Sequence, residues 1–173
     1  YDKRNQRFKT SDGYFSRFNQ NIPLISENYT LTNGYDYKIY DEWLDENIFS
    51  FGLFLKASNS INGKDIKLSE RLFVPSNKLR GFEIGKVGPK DGTDYIGGNY
   101  AASINMATTL PKILPNLQNT SLSIFVDAAN IWGIDYDSAI GDGSKIRSSI
   151  GIAVDFFTPI GPLNFSLSEA ITK

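Results

Sequence analysis

Ser121-Leu122-Ser123-Ile124-Phe125-Val126-Asp127-Ala128-Ala129 sets Leu122, Ile124, Val126 and Ala128 against Ser121, Ser123, Phe125, Asp127 and Ala129. A period of two over such a run belongs to a β-strand with two unlike faces, because successive side chains of an extended chain point to opposite sides. The alternation recurs on both sides of it. Downstream, Ile146, Ile150, Ile152, Val154 and Phe156 alternate with Arg147, Ser149, Gly151 and Asp155. After a turn at Thr158-Pro159-Ile160-Gly161-Pro162, Leu163, Phe165 and Leu167 stand opposite Asn164, Ser166 and Ser168. Upstream, Tyr100, Ala102, Ile104, Met106 and Leu110 oppose Asn99, Ser103, Asn105 and Thr109, with strand character resuming at Gly97-Gly98. Pro111 and Pro115 then forbid a continued central strand.

Three earlier runs follow the same rule. Phe49, Phe51, Leu53, Leu55 and Ala57 face away from Ser50, Gly52, Lys56 and Ser58, after a short turn at Asp45-Glu46-Asn47. Tyr35, Tyr37, Ile39 and Trp43 face away from Asp36, Lys38, Tyr40 and Glu42. Tyr14, Phe18, Ile22 and Leu24 share one parity and Arg17, Asn19 and Asn21 the other, with a polar connection from Ser26 to Gly34. The opening Tyr1 to Phe8 reads as a strand end or turn. The expectation is an all-β, antiparallel fold of about seven strands without a helix. Its apolar face would be buried in a soluble sandwich and would meet lipid in a membrane barrel, and parity alone leaves both open. Connections that alternate long and short, with Tyr35, Trp43, Tyr100 and Trp132 near strand ends, favour the barrel.

Composition removes most other readings. The net charge is −1 and the basic residues are scattered, so no nucleic-acid partner is expected. The chain has no cysteine and no histidine, which removes disulfide scaffolds, thiol chemistry, zinc-thiolate sites and the commonest general base. No metal or cofactor is expected. A helical membrane span is excluded because no apolar run approaches ~18 residues.

The longest stretch without alternation is 59–95. A connection of that size is usually functional or disordered. Leu72, Phe73, Val74, Leu79, Phe82, Ile84 and Val87 are too apolar for a solvated loop, so this one is expected to pack into the fold. Its compact polar-aromatic unit is Arg80-Gly81-Phe82. Asp127 lies on the polar parity, two residues after Phe125, and a carboxylate facing inward there needs a partner. Arg80, carried inward by the loop, offers a bidentate, charge-assisted pair. Asn105 and Arg147, on the flanking strands and the same parity, are candidates for one network with it. The competing reading keeps Asp127 solvated in a wet lumen and Arg80 exposed. A hydrolase site built from Asp127 with Ser123 or Asp155 lacks its usual base and shows no nucleophile-elbow spacing. The glycines of Gly92-Thr93-Asp94-Tyr95-Ile96-Gly97-Gly98 precede no helix, so they are not a phosphate cradle.

The motifs Arg80-Gly81-Phe82, Val87-Gly88-Pro89-Lys90-Asp91, Ile96-Gly97-Gly98-Asn99, Phe125-Val126-Asp127-Ala128-Ala129-Asn130-Ile131-Trp132, Ser149-Ile150-Gly151 and Thr158-Pro159-Ile160-Gly161-Pro162-Leu163 occur in that order. Together they resemble the C-terminal barrel half of the BamA family, the central subunits of the bacterial outer-membrane β-barrel assembly machine. The likeness runs from about Tyr1 to the C-terminus. Two-partner-secretion transporters and organellar assembly channels share the first and fourth motifs, while Gly88-Pro89-Lys90-Asp91 and the Pro159 to Leu163 turn favour the assembly factors.

The resemblance implies an antiparallel transmembrane β-barrel of about sixteen strands, of which residues 1–173 supply about the ninth to fifteenth. It makes 59–95 an extracellular loop folded into the lumen, locked there by Arg80, Gly81, Phe82 and Asp127, with Asn105, Phe125 and Arg147 as further members. The family often carries glutamate at the position of Asn105. From there asparagine is expected to offer the arginine only a neutral carbonyl oxygen, and so a weaker contact. The implied function is non-enzymatic insertion of other β-barrels into the bacterial outer membrane. The implied partners are nascent outer-membrane proteins, assembly-machine lipoproteins and outer-membrane lipids. Upstream periplasmic domains, the first half of the barrel and an aromatic-ended closing strand are expected of the whole protein and lie outside this sequence. A polypeptide-secretion channel of the same superfamily and a passive porin-like pore are the alternatives.

Overall fold

The computed structural model describes residues 1–24, 29–44, 46–110, 119–141 and 145–172. The strands are β1 (Gly13–Asn21), β2 (Thr30–Leu44), β3 (Asn47–Ser60), β4 (Lys90–Asp91), β5 (Asp94–Tyr95), β6 (Tyr100–Thr109), β7 (Thr120–Trp132), β8 (Arg147–Thr158) and β9 (Gly161–Thr172). All but β4 and β5 form one antiparallel sheet in the order β1-β2-β3-β6-β7-β8-β9. The seven expected strands are therefore present in chain order, and the sheet is not closed. The N-terminal segment extends it through backbone hydrogen bonds from Lys3 to Tyr14 and from Ser16 to Tyr1, as the front half of a hairpin with β1.

Register carries each face across the whole sheet. One row runs Ile39, Phe51, Met106, Val126 and Ile150, and the next inward-pointing row runs Lys38, Gly52, Asn105, Asp127 and Ser149. The apolar rows have no cover among the described residues: Ile104, Met106, Ile124, Val126, Ile150 and Ile152 remain 39–46% exposed. A sandwich would bury them. The arrangement is a barrel wall, apolar outside and polar inside.

The buried cluster lies on the polar side. Leu72, Val74, Leu79 and Val87 of the long connection pack on Phe54, Ala101, Ala129 and Ile131 of the wall, with Phe82 against them. Burial of the loop against the wall supplies the core, at about 25 cal/mol per Å² of apolar surface removed from water. Two of the expected loop anchors do not take part, since Phe73 and Ile84 are exposed, Ile84 at 74%. Neither points into the cluster, because the chain turns at Pro75–Lys78 and again at Glu83–Lys86.

Boundaries moved by a few residues. The connection spans 61–99, as β3 continues to Ser60 and β6 starts at Tyr100. It is not structureless: a 3-10 turn at Leu68–Glu70, the β4-β5 hairpin and a bridge between Leu72 and Gly98 give it internal order. Ile22, Leu24, Leu110 and Ile146 fall just outside their strands. Asp45, Ser26, Pro111 and Pro115 lie outside the described residues, as does part of the connection after Trp132.

Candidate functional site: a loop anchor on the inner wall

Asp127 sits at the middle of β7, paired with Asn105 of β6 on one side and Ser149 of β8 on the other, and is fully buried. A carboxylate without solvent must be saturated by donors. Arg80 supplies three: Nε to Oδ2 at 2.7 Å, Nη2 to Oδ1 at 2.8 Å, and its backbone N–H to Oδ2 at 3.1 Å. Asn105 supplies the fourth, Nδ2 to Oδ1 at 2.8 Å. Four donors fill the acceptor capacity of a carboxylate. The pair is planar and bidentate, the geometry that a guanidinium makes and an ammonium does not.

Space for this pair comes from neighbouring small residues. The Arg80 guanidinium lies over the Phe125 ring, Cζ 3.3 Å from its centroid, and Phe125 is itself buried. Gly151, opposite Phe125, admits that ring, since a Cβ there would stand 2.6 Å from Phe125 Cζ. Gly81 turns the loop at φ +84°, and a Cβ would come within 2.9 Å of Ser168 Oγ on β9. Arg80-Gly81 thus fits a narrow slot between β7 and β9. Phe82 leaves that slot to join the apolar cluster.

Asn105 plays a different part from the expected one. It does not offer its carbonyl to Arg80; its amide donates both to Asp127 and to the Lys78 carbonyl at 2.8 Å, stitching loop to wall twice. Both neighbours are acceptors, which fixes the orientation of the amide. Glutamate in its place could donate to neither. Arg147 lies on the inner parity opposite Ala129, and its side chain makes no hydrogen bond or ion pair with the described residues, so it stands outside the network. The register puts it one inward row nearer the strand end than Asp127.

Sequence reasoning passed over three members. Lys78 pairs with Asp36 of β2, Nζ to Oδ1 at 3.0 Å, and its ammonium lies 5.3 Å from the Phe54 ring. Asp36 was visible as a carboxylate of inner parity, whereas Phe54 breaks the alternation of β3 and its inward aromatic was the available signal. Ser123 and Asp155 are engaged elsewhere, with Ala153 and Asn164. Asp127 has no free lone pair with which to act as a base. Beyond the anchor, the inner rows and residues 7–10 border an open cleft of about 490 Å³ with a mixed lining that includes Lys38, Ser50, Asn105, Ser123, Asp155, Met106 and Phe157.

The Omp85 superfamily domain model matches residues 1–173. A SAM50-like protein of Schizosaccharomyces pombe is 31% identical over 127 residues, covering 68% of this chain and 26% of that protein. The outer membrane protein assembly factor BamA of Neisseria meningitidis serogroup B is 30% identical over 157 residues, covering 72% of this chain and 20% of its own. The crystal structure of BamA from Haemophilus ducreyi lacking POTRA domains 1–3 superimposes on all of this chain and 38% of its own, with a TM-score of 0.87 and 25% identity. The chain therefore spans about a quarter or less of the length of these curated relatives.

Proposed function

The chain belongs to the Omp85 superfamily, and on that footing we propose that it is the loop-bearing wall of a bacterial outer-membrane β-barrel that folds and inserts other outer-membrane proteins. Residues 1–173 then form the C-terminal part of the barrel domain, about strands nine to fifteen, and the connection 61–99 is an extracellular loop drawn into the lumen. The observation that carries this reading is the saturated Asp127, whose four donors fix the loop to the inner wall. The match of the Omp85 superfamily domain to residues 1–173 favours this reading over a passive porin-like pore.

In this reading the chain works without catalysis or cofactor. The sheet presents apolar rows to lipid, and the anchored loop keeps the wall's inner side filled while strands elsewhere in the barrel separate to receive a substrate strand by edge pairing. The substrates are nascent outer-membrane proteins, with assembly lipoproteins and outer-membrane lipids as partners. The test is reconstitution of the complete protein into liposomes with an unfolded porin as substrate. Arg80→Ala should lower the yield of folded, protease-resistant porin at equal amounts of folded protein in the bilayer. Unchanged yield would remove the anchor from the assembly reaction.

A further inference from the structure

Besides its contacts with Asp127 and Asp36, the loop makes a further charged contact, with the connection that follows β7, where a guanidinium again meets a carboxylate. Arg71, its side chain only 2% exposed, donates from Nη2 to Asp135 Oδ1 at 2.8 Å and to the Ile66 carbonyl at 3.3 Å. The Ile66 backbone N–H donates to Asp135 Oδ2 at 2.9 Å. A guanidinium and a main-chain N–H thus converge on one carboxylate, as Arg80 does at Asp127. The Arg71 Cζ lies 4.8 Å from the ring centre of Tyr136, whose hydroxyl donates to Asp91 on β4 at 3.0 Å. On the other side, the adjacent Glu70 accepts from the Thr30 hydroxyl of β2. The 3-10 turn Leu68–Glu70 and the residue after it therefore reach β2 in one direction and the connection following β7 in the other, two strands that β3 and β6 separate in the sheet.

We propose that Arg71 and Asp135 form a rim clasp that holds the base of the loop independently of the Arg80–Asp127 anchor near its tip. Both residues are positioning residues. They fix where the loop enters the wall, and thereby present Arg80 to Asp127. The two contacts are separated along the loop by Leu72, Val74 and Leu79, which are buried against the wall, and by the Leu72–Gly98 bridge. Loss of the tip contact leaves the base in place. The loop can then withdraw its tip from the lumen while still strapped across the mouth. This is a claim about how the loop is held, and it stands or falls apart from what the complete protein assembles.

Each clasp contains its own reporter, the N–H of Ile66 on Asp135 and the N–H of Arg80 on Asp127. Hydrogen exchange by mass spectrometry, on the complete protein in lipid nanodiscs, reads both. Asp135→Ala removes the more exposed partner and leaves the buried Arg71 guanidinium without its countercharge. Arg71→Met keeps the length and bulk of the stem and removes the charge. Each should speed exchange of a peptide spanning 64–72 by about tenfold or more while a peptide spanning 77–82 stays within about twofold of its starting rate. Arg80→Ala should do the reverse. If Arg71→Met protects 64–72 as well as arginine does, Arg71 is packing and not a clasp. Joint acceleration of both peptides in every variant would show a single cooperative unit and overturn the proposal equally.

Discussion

Arg80 gives Asp127 three of its four hydrogen bonds, two from the guanidinium and one from its own backbone N–H. The main-chain donor is present whatever the side chain, proline apart, but it holds the carboxylate only while the loop stays in place. The side-chain bonds decide whether the carboxylate stays neutralised.

Arg80→Ala should leave a buried carboxylate without its countercharge, a loss of up to ~3–5 kcal/mol for a fully enclosed pair and less where water enters. Lysine should rescue poorly, because one ammonium cannot make both bonds. Arg80→Ala combined with Asp127→Ala should be less damaging than the sum of the singles. Protease sensitivity of the loop in the complete protein measures all three, and strict additivity with an unaltered digestion pattern in the singles would mean that the charges are not coupled.

Asn105→Ala removes donors from both Asp127 and the Lys78 carbonyl. The expected penalty is about 1–3 kcal/mol, the range for leaving a buried acceptor unsatisfied. Asn105→Glu should do no better than alanine while Arg80 keeps its present position, since it adds a second carboxylate beside Asp127 and donates nothing. Denaturant unfolding of the complete protein in detergent gives the ranking; a glutamate variant as stable as the parent would contradict the donor role.

Gly81→Ala meets two obstacles, a left-handed backbone at φ +84° and a contact of 2.9 Å with Ser168 Oγ. The backbone strain alone is worth about 1–2 kcal/mol. Ser168→Gly should therefore recover only part of the loss. Full recovery of loop protection in that double variant would show that crowding, and not the backbone, fixes glycine here.

Spin labels at Ile124 and Ile152 should collide with oxygen dissolved in the bilayer, and labels at Ser123 and Asp155 with an aqueous nickel chelate. These pairs lie on opposite faces of neighbouring strands, and Ser123 and Asp155 both line the open cleft on the inner side. Aqueous behaviour at Ile124 would place the register one residue out, because such a slip turns every side chain over.

The strands and both faces of the wall could be read from the chain because parity is a local property. Leu122 to Ala129 needs no knowledge of its neighbours to declare which residues point together. The Arg80–Asp127 pair was legible for a related reason: an inward carboxylate demands a cation, and the loop held a compact candidate. Arg147 looked equally suitable by parity, but parity fixes a face and not a row, and the row it occupies is opposite Ala129. The direction of the Asn105 amide depends on where the Lys78 carbonyl arrives, which no spacing encodes. Ile84 was expected inside on hydrophobicity alone and lies outside, since a turn at Glu83–Lys86 is set by hydrogen bonding that composition does not reveal.

The glycines of the long connection fall into two kinds, and this divides the loop into regions with different freedom to change. A Cβ at Gly88, Gly97 or Gly98 would stand 2.9, 2.7 or 2.6 Å from Ile131, Leu72 or Trp132, whereas at Gly63, Gly85 or Gly92 it would meet nothing within 4 Å. Surface connections ordinarily tolerate insertion throughout. Here the open apices around Gly63, Gly85 and Gly92 have that tolerance, as do exposed stretches such as 67–69 and 75–77, whereas Leu72, Val74, Leu79, Val87 and 96–99 obey the rules of a protein interior. An epitope tag or a fluorophore has room at the exposed positions, and at the buried positions of the same loop each would act as a core mutation.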